Sequence, residues 1–285
     1  MKKVTFLIAT VLTAFFSNAQ KASDTNSLLW KIEGNGLEKP SYLYGTIHFM
    51  CAADFEIRQK VVTAFDSTSN LVLEINMTDP DEALAMQKMM HSETTLSSRL
   101  TETERIEANS ILTSHIGITL KQAEHISPTS LFSASIFSVL PCKPTEMKFY
   151  EYEFVAKAQA QHKTIGGLEK LEVQAAAMDK SYSVQEVLQQ IKIKDQYAEV
   201  FADMTKFYTE ENLPELYNTV RDRRFMDEKA ETLILTDRNK AWAVKIPAII
   251  KDKSTFFAVG AGHLYGEAGL IELLRRQGYK ITAVK

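Results

Sequence analysis

The chain has 285 residues, of which 45% are hydrophobic and 24% are charged, and its formal net charge at pH 7 is −3. This composition is that of an ordinary globular protein, and it excludes collagen-like, intrinsically disordered and disulfide-dense miniature proteins. The lack of a basic excess disfavours a nucleic-acid partner, because binding to a phosphate backbone depends on many lysine and arginine contacts.

The first residues carry the pattern of a secretory signal. Lys2 and Lys3 precede an apolar run over 4–16, and small residues at positions 17 and 19 complete a cleavage site. An uncleaved membrane anchor is the alternative, but the apolar run is shorter than the roughly 17–25 residues that a membrane-spanning helix needs. We therefore expect a signal peptide over 1–19 and one domain over 20–285. The mature protein is expected to be periplasmic or secreted, without a stable membrane span.

The next part of the chain alternates between predicted strands and a predicted helix. Alternating or continuous apolar residues predict strands, whereas apolar residues at helical spacing predict a helix. The strands are expected over 27–33, 41–47 and 70–75, and the helix over 56–66. The segment 70–75 is almost wholly apolar, which is typical of a strand that is buried on both faces.

Helical signals dominate the middle of the chain, from about 79 to 162. Asp79 and Pro80 have the pattern of a helix N-terminus, and two capping boxes follow at 101–104 and 119–122. We expect this segment to be a helical insertion that contributes few residues to a functional site.

Strand and helix signals alternate again in the last part of the chain. The expected elements are an extended run over 164–168, helices that begin at Ser183 and Pro214, a helix over 237–251 with a bend at Pro247, a strand over 255–259, a helix over 267–277 and a strand over 279–284. The final strand, helix and strand predict two neighbouring parallel strands joined by a right-handed crossover. The predicted fold class is therefore α/β (α+β), with a central mixed sheet formed by the N- and C-terminal segments and a helical insertion in the middle.

Two segments with the pattern Gly-x-x-His follow apolar strands from opposite ends of the chain. They are Gly45–His48 and Gly260–His263. A glycine at a strand end permits close approach of the backbone, and ligands of α/β sheets bind beyond the carboxyl ends of the strands. We therefore expect the two strands to be adjacent and central, and both histidines to line a site. Neutral imidazole is a common metal ligand; two structural histidines at strand–loop junctions are the alternative.

Four further polar residues are candidates for the same site. Glu74 interrupts an apolar strand, where a buried carboxylate must be paired, protonated or bound to a metal. Glu169 follows a pair of glycines, and Arg238 and Asn239 offer donors that orient a carboxylate or a carbonyl. The alternatives are a solvated strand face for Glu74, helix capping for Glu169, and an exposed polar pair for Arg238 and Asn239.

His48, His263 and Glu74 have the donor types of a divalent metal site, with Mn²⁺, Co²⁺ and Zn²⁺ open as its cofactor. The candidate catalytic residues are Glu74, Glu169, Arg238 and Asn239, and residue types alone do not decide which glutamate binds metal and which acts as general base. The motifs HExxH, GxSxG, GxxxxGK[ST] and GxGxxG are absent from the sequence. Their absence disfavours zincins, α/β-hydrolase serine enzymes and nucleotide-binding proteins.

The chain has two cysteines, Cys51 and Cys142, and no C-x-x-C motif. In an exported protein the two are able to form a disulfide, and they are equally able to remain buried thiols. Cys51 lies three residues after His48, next to the candidate site.

The chain resembles the TraB/GumN family, which includes the Tiki metalloproteases, over nearly the whole region after the signal segment. The resemblance depends on an ordered set of segments: LLWKIEG, YLYGTIH, LVLEI, IGGLEKLEVQ, DRNKAW and FFAVGAGHLYGEAGLIELLRRQGYKITAV. It implies a fold related to the ChaN-like and erythromycin-esterase-like proteins, with paired GxxH motifs around the site. It also implies metal-dependent proteolysis, as in Tiki-like members, with these site residues: His48, Glu74, Glu169, Arg238, Asn239 and His263.

Two functions are compatible with this sequence. The first is an exported metal-dependent hydrolase, with a peptidase favoured, that acts on a peptide or another small extracytoplasmic substrate. The second is a non-catalytic binding protein that captures a peptide or another ligand in the same cleft. Convergence of His48, His263 and a glutamate on one point favours the first function, because a shared metal ion requires it, and divergent side chains favour the second.

Overall fold

The computed structural model describes residues 26–285, and the predicted signal peptide over 1–19 lies outside the described residues. The strands of the described part are β1 (Leu29–Glu33), β2 (Ser41–Thr46), β3 (Phe49–Cys51), β4 (Asn70–Ile75), β5 (Met147–Phe149), β6 (Thr164–Glu169), β7 (Thr255–Gly260) and β8 (Lys280–Ala283). The α-helices of the described part are α1 (Gln59–Asp66), α2 (Pro80–Met89), α3 (Glu102–His115), α4 (Leu120–Ala123), α5 (Pro128–Phe137), α6 (Tyr150–Ala160), α7 (Leu171–Ser181), α8 (Val184–Lys192), α9 (Gln196–Thr209), α10 (Leu213–Val220), α11 (Glu228–Glu231), α12 (Asp237–Asp252) and α13 (Leu270–Arg276). A π-helical segment, Thr232–Thr236, connects α11 to α12.

Six of the strands form one mixed sheet in the order β6-β4-β7-β2-β1-β8. The strands β6, β4, β7 and β2 are parallel to one another, whereas β1 is antiparallel to both β2 and β8. The predicted fold class, with a mixed sheet formed by the N- and C-terminal segments, is therefore confirmed. The strands that precede the two Gly-x-x-His motifs, β2 and β7, are adjacent and central, as the sequence predicts.

The prediction that the last two strands are neighbours is wrong. β7 and β8 point in the same direction, but β2 and β1 lie between them. The backbone of β7 is hydrogen-bonded by β4 on one side and by β2 on the other, and β8 pairs instead with the outer strand of the β1–β2 hairpin. A strand–helix–strand pattern determines the direction of its two strands and leaves open which strands lie between them.

The main hydrophobic core lies around β4 and β7. Every residue of β7 is buried, and only the last residue of β4 is partly accessible, as expected for strands covered on both faces. Phe65 of α1, Phe154 of α6 and Trp242 of α12 are among the large side chains that pack into this core. The central parallel strands are thereby anchored in the core, and the polar side chains at their carboxyl ends share one edge of the sheet.

A second core lies among helices away from the sheet. It takes its buried residues from the ranges 96–131 and 184–191, and three of its helices begin at capping boxes, formed by Thr101, Thr119 and Ser183. Helix α6 packs instead into the main core. Within the described residues from 79 to 162, strand pairing is limited to β5 with β3 and one isolated bridge.

The two cysteines are joined to each other. Cys51, at the end of β3, forms a disulfide with Cys142, and of the two alternatives left open by the sequence the structure has the pair. None of the helices within residues 26–285 combines the length and the apolar character that crossing a membrane requires.

Candidate functional site

The carboxyl ends of four parallel strands bring most of the candidate residues together. His48 follows β2, Glu74 is the penultimate residue of β4, Glu169 ends β6, and His263 follows β7 in a short 3₁₀ turn. The backbone register places Thr46 opposite Gly260 at this edge of the sheet. The site is therefore formed by residues that are as much as 215 positions apart in the chain, because parallel strands end at the same edge.

Three of these side chains converge beside Gly260. A Cβ atom at Gly260 would lie 3.2 Å from His48 Nε2, 3.3 Å from Glu74 Oε1 and 3.6 Å from His263 Cδ2. The Gly260 backbone N–H also donates to Glu74 Oε1 at 2.7 Å. We refer to the space beside Gly260, between His48, Glu74 and His263, as the convergence point. The three side chains therefore lie around one space rather than diverging.

His263 is held in one orientation by its neighbours. Asn239 Nδ2 donates to the carbonyl oxygen of Ala268, so that Asn239 Oδ1 faces His263 Nδ1 at 2.6 Å. This network assigns the proton to Nδ1, so that His263 Nε2 accepts a hydrogen bond from Arg238 Nη1 at 3.3 Å and lies 3.8 Å from Glu74 Oε1. Burial of the ring, reinforced by the Arg238 cation and opposed by Glu74, lowers the pKa of His263 to about 3. The imidazole is therefore neutral.

His48 is held by a carboxylate that no sequence pattern indicated. The chain folds back directly after β2, and His48 has a left-handed backbone conformation with φ of 59°. Glu151 Oε1 lies 2.9 Å from His48 Nδ1 and accepts a second hydrogen bond, at 2.8 Å, from the buried Thr46 hydroxyl. The protein atoms around the ring lower the pKa of His48, but the Glu151 carboxylate outweighs them and raises it to about 9.

Glu74 is buried and ionised. Its Oε2 atom accepts hydrogen bonds from Arg238 Nη2 at 2.7 Å and from Gln174 Nε2 at 3.1 Å. Burial alone would raise the pKa of Glu74, but the two neighbouring histidines, the Arg238 guanidinium and the Gly260 N–H together lower it to about 2. The alternative of a solvated strand face is excluded, because only 6% of the residue is exposed.

Arg238 links the two glutamates of the site. Its Nε atom donates to Glu169 Oε1 at 2.8 Å, its Nη2 atom contacts both Glu74 and Glu169, and its Nη1 atom donates to the carbonyl oxygen of Ile234 in the π-helical segment. The other oxygen of Glu169 accepts from Trp242 Nε1 at 3.0 Å. Arg238 is 7% exposed, so it is not half of an exposed polar pair. Arg238 therefore holds Glu74 from inside the protein, and Glu169 holds Arg238.

A cavity of about 380 Å³ opens beside the convergence point. Its polar side is formed by His48, Glu74, Glu151 and Gln174. The rest of its lining is mostly apolar and includes Leu73, Ile75, Met77, Met86, Phe149 and Tyr152. A larger cavity of about 600 Å³ lies among the helices, but none of the candidate residues lines it. Because His48 and Glu74 line the smaller cavity, we assign that cavity to the candidate site.

Glu151, Gln174 and Thr46 were missed at the sequence level. Glu151 belongs to the segment 79–162, which was expected to contribute few site residues, and its carboxylate bonds to the Nδ1 atom of His48. It stands at the second position of α6, where an acidic residue is ordinary for a helix N-terminus. No local signal distinguishes such a glutamate from a helix-stabilising one.

The candidate site has the types of donor atom that bind a divalent ion. Two imidazole rings and a carboxylate oxygen lie around one space, and each histidine has its Nδ1 atom bonded to an oxygen, as metal-binding histidines have. Ligands of a tetrahedral ion lie about 3.4 Å apart, and His263 Nε2 and Glu74 Oε1 are 3.8 Å apart. As they stand, no three His, Cys, Asp or Glu side chains within 26–285 have ligand spacing. Binding would require the side chains to close around the ion.

Comparison with known proteins identifies the family. A family model described as TraB/PrgY/gumN matches residues 28–283. The chain is 24% identical to Metalloprotease TIKI1 of Danio rerio, over 91% of this chain and 63% of the relative. It is 23% identical to Metalloprotease TIKI homolog of Nematostella vectensis, over 91% of this chain and 67% of the relative, and 22% identical to Metalloprotease TIKI2 of Xenopus tropicalis, over 90% and 60%.

The chain thus spans 60–67% of the length of these curated relatives. No solved structure matches it significantly. Because the family model covers nearly all of the described residues, the chain belongs to the TraB/PrgY/gumN family.

Proposed function

We propose that this member of the TraB/PrgY/gumN family is an exported metal-dependent hydrolase that cleaves peptides. One observation carries the proposal: His48 Nε2, Glu74 Oε1 and the ring of His263 lie around one space beside Gly260, while a carboxylate and an amide oxygen hold the two Nδ1 atoms. Such outer partners fix the ring orientation of metal-binding histidines. The names of the three TIKI relatives, which are metalloproteases, agree with this chemistry.

Each residue of the site receives a role from its contacts. His48, which would release its Nε2 proton on binding, would hold the ion together with His263 and Glu74, and we expect the ion to be Mn²⁺, Co²⁺ or Zn²⁺. When bound, such an ion lowers the pKa of a water ligand and polarises a substrate carbonyl. Arg238 keeps Glu74 ionised and oriented through its 2.7 Å bond, and Glu169 in turn holds Arg238. Asn239 fixes the tautomer of His263.

The cavity supports a peptide as the substrate. Its polar side carries the proposed metal ligands His48 and Glu74, and its apolar walls, which include Met86 and Phe149, suit a side chain of a peptide. A carbonyl group next to that side chain would meet the polar side.

Export is part of the proposal. The sequence carries a signal-peptide pattern over 1–19, and Cys51 and Cys142 form a disulfide. Disulfides persist in oxidising compartments and are rare in the cytosol of most organisms. We therefore propose a periplasmic or secreted protein.

Metal-dependent thermal stabilisation tests the proposal. The protein is stripped of metal, and its melting temperature is measured after addition of Mn²⁺, Co²⁺ or Zn²⁺, one at a time. An ion that binds only the folded state raises the melting temperature, so the wild type should respond and the variants His48→Ala and His263→Ala should not. His115→Ala is the matched control, because His115 lies at the end of α3 among the helices.

Equal shifts in all four proteins would contradict metal binding at the convergence point. A wild type that responds to none of the ions, but binds peptides of a library without metal, would instead support the non-catalytic binding protein. Cleavage of the same library only in the presence of the stabilising ion would support the peptidase.

A further inference from the structure

A small antiparallel ladder, separate from the main sheet, carries His48 at one end. In this ladder β3 pairs with β5, with Phe49 opposite Phe149 and Cys51 opposite Met147. Each strand has only three residues. A two-stranded ladder is marginally stable by itself, so its geometry must be fixed by contacts outside its own backbone.

The His48 end of the ladder is closed by two contacts with the start of α6. The Tyr150 N–H donates to the carbonyl oxygen of His48 at 2.9 Å, and Glu151 Oε1 bonds to His48 Nδ1. Glu151 is itself fixed by the Thr46 hydroxyl, which is 1% exposed. His48, just before β3, is therefore hydrogen-bonded to Tyr150 and Glu151, just after β5.

The opposite end of the ladder is closed covalently. Cys51 is the last residue of β3, and its disulfide partner Cys142 precedes β5 in the chain. The N–H of Ala52 donates to the carbonyl oxygen of Glu146 at 2.8 Å and continues the pairing beyond β3. The disulfide thus ties β3 to the segment that leads into β5 and on to Glu151.

We propose that this disulfide-closed ladder positions the His48 imidazole in the proposed metal site, with Glu151 as the positioning residue. The inference rests on the proposed function. The His48 side chain is 54% exposed, so core packing does not orient it, and its hydrogen-bonded partner Glu151 must do so. His263 does not depend on such a ladder, because it is 4% exposed and lies against the ring of Trp242.

Titration with Co²⁺ alone tests the role of Glu151. Loss of an outer partner of a metal-binding histidine weakens metal affinity by about 10–100-fold, so Glu151→Ala should lose that much. Glu151→Gln keeps an oxygen acceptor for His48 Nδ1 and should recover most of the affinity. Glu153→Ala is the matched control, because Glu153 lies on the same helix and pairs with the exposed Lys148. The visible absorption spectrum of bound Co²⁺, which depends on its ligands, should change in Glu151→Ala alone.

The double variant Cys51→Ser/Cys142→Ser tests the disulfide. Hydrogen exchange of the Tyr150 amide reports opening of the ladder without any metal, because that amide donates to the His48 carbonyl. We expect faster exchange of this amide and a weaker Co²⁺ affinity in the double variant, both measured far below its melting temperature.

The outcomes distinguish a failure of the positioning inference from a failure of the proposed function. Wild-type affinity for Co²⁺ in Glu151→Ala, or unchanged Tyr150 exchange in the double variant, would overturn the positioning inference and leave the proposed function standing. A wild type that binds no Co²⁺ while Tyr150 exchange is faster in the double variant would overturn the metal site and leave the ladder as the element that fixes His48.

Discussion

Replacement of Gly260 by alanine adds one methyl group at the convergence point. Gly260 has φ of −53° and ψ of 134°, a conformation that alanine adopts without strain. The methyl carbon would lie 3.2 Å from His48 Nε2 and 3.3 Å from Glu74 Oε1. Both distances are shorter than the optimum of about 3.5–4.0 Å for non-bonded atoms, so these two side chains would have to move apart by a few tenths of an ångström.

The free energy of unfolding should change little. A glycine-to-alanine replacement at a compatible position stabilises by about 0.4–1 kcal/mol, because it restricts the unfolded chain. Crowding opposes this gain and costs about 1–3 kcal/mol in a well-packed region. The half-exposed His48 ring is able to yield, whereas Glu74 is fixed by Arg238. We therefore expect a net loss of stability of no more than about 2 kcal/mol.

Metal affinity should respond far more strongly than stability. The methyl group would occupy space between two proposed ligands, so the Co²⁺ affinity should fall by at least about tenfold, the lower bound for changes around metal-binding histidines. Unfolding in urea gives the stability, and Co²⁺ titration gives the affinity.

Gly262→Ala is the control for this prediction. Its Cβ atom would lie 3.2 Å from Val220 Cγ1 and 3.6 Å from Leu235 Cδ2, which is similar crowding against apolar groups two residues farther along. It should change stability by a similar amount and keep the full Co²⁺ affinity. Equal losses of affinity in the two variants, or none in Gly260→Ala, would refute the assignment of the convergence point.

Two further predictions concern the charges of the site. Arg238→Met leaves Glu74 and Glu169 buried without their cation, so it should lower the free energy of unfolding by about 3–5 kcal/mol. Urea unfolding measures this loss, and a loss below about 1 kcal/mol would contradict the buried network. In metal-free protein, the pKa of His263 is about 3 in the folded state and 6.5 in the unfolded state, so its contribution to stability is complete above pH 6.5 and decreases as the pH falls toward 3. Urea unfolding at pH 7 and pH 4 should therefore differ by about 3 kcal/mol more in the wild type than in His263→Asn, and equal differences would contradict a neutral buried His263.

Most residues of the candidate site were predictable, because the sequence around each of them is locally unusual. Glu74 is a charged residue within an apolar strand. Each Gly-x-x-His motif begins near the carboxyl end of a strand, at the edge of the sheet where the candidate site lies. The roles within the site were less accessible to sequence reasoning. Glu169 was expected to bind metal or act as general base and Arg238 to orient a carboxylate or a carbonyl, whereas Arg238 contacts Glu74 and Glu169 contacts Arg238. Strand position predicts proximity, but only three-dimensional packing decides which hydrogen bonds form.

The parts that escaped prediction depend on contacts between distant segments with no special local pattern. Glu151 looks like an ordinary acidic residue in the first turn of a helix, and it reaches His48 only because β3 and β5 pair. The cysteines at 51 and 142 carry no information about pairing until that same ladder brings them together. The unpredicted ladder therefore accounts for both omissions.

The repetition of the Gly-x-x-His motif has a physical reason that neither copy reveals alone. A Cβ atom at Gly45 would lie 2.9 Å from Leu264 Cδ1 and 3.0 Å from the Cα and Cβ atoms of Ala261, so this glycine leaves room for the turn that carries His263. The glycine of the second motif, Gly260, leaves room for His48 of the first. Because β2 and β7 are adjacent and parallel, each glycine lies beside the other motif's turn or histidine. Each histidine thus reaches the convergence point through space left by the glycine of the other motif, and the two motifs form a single structural unit.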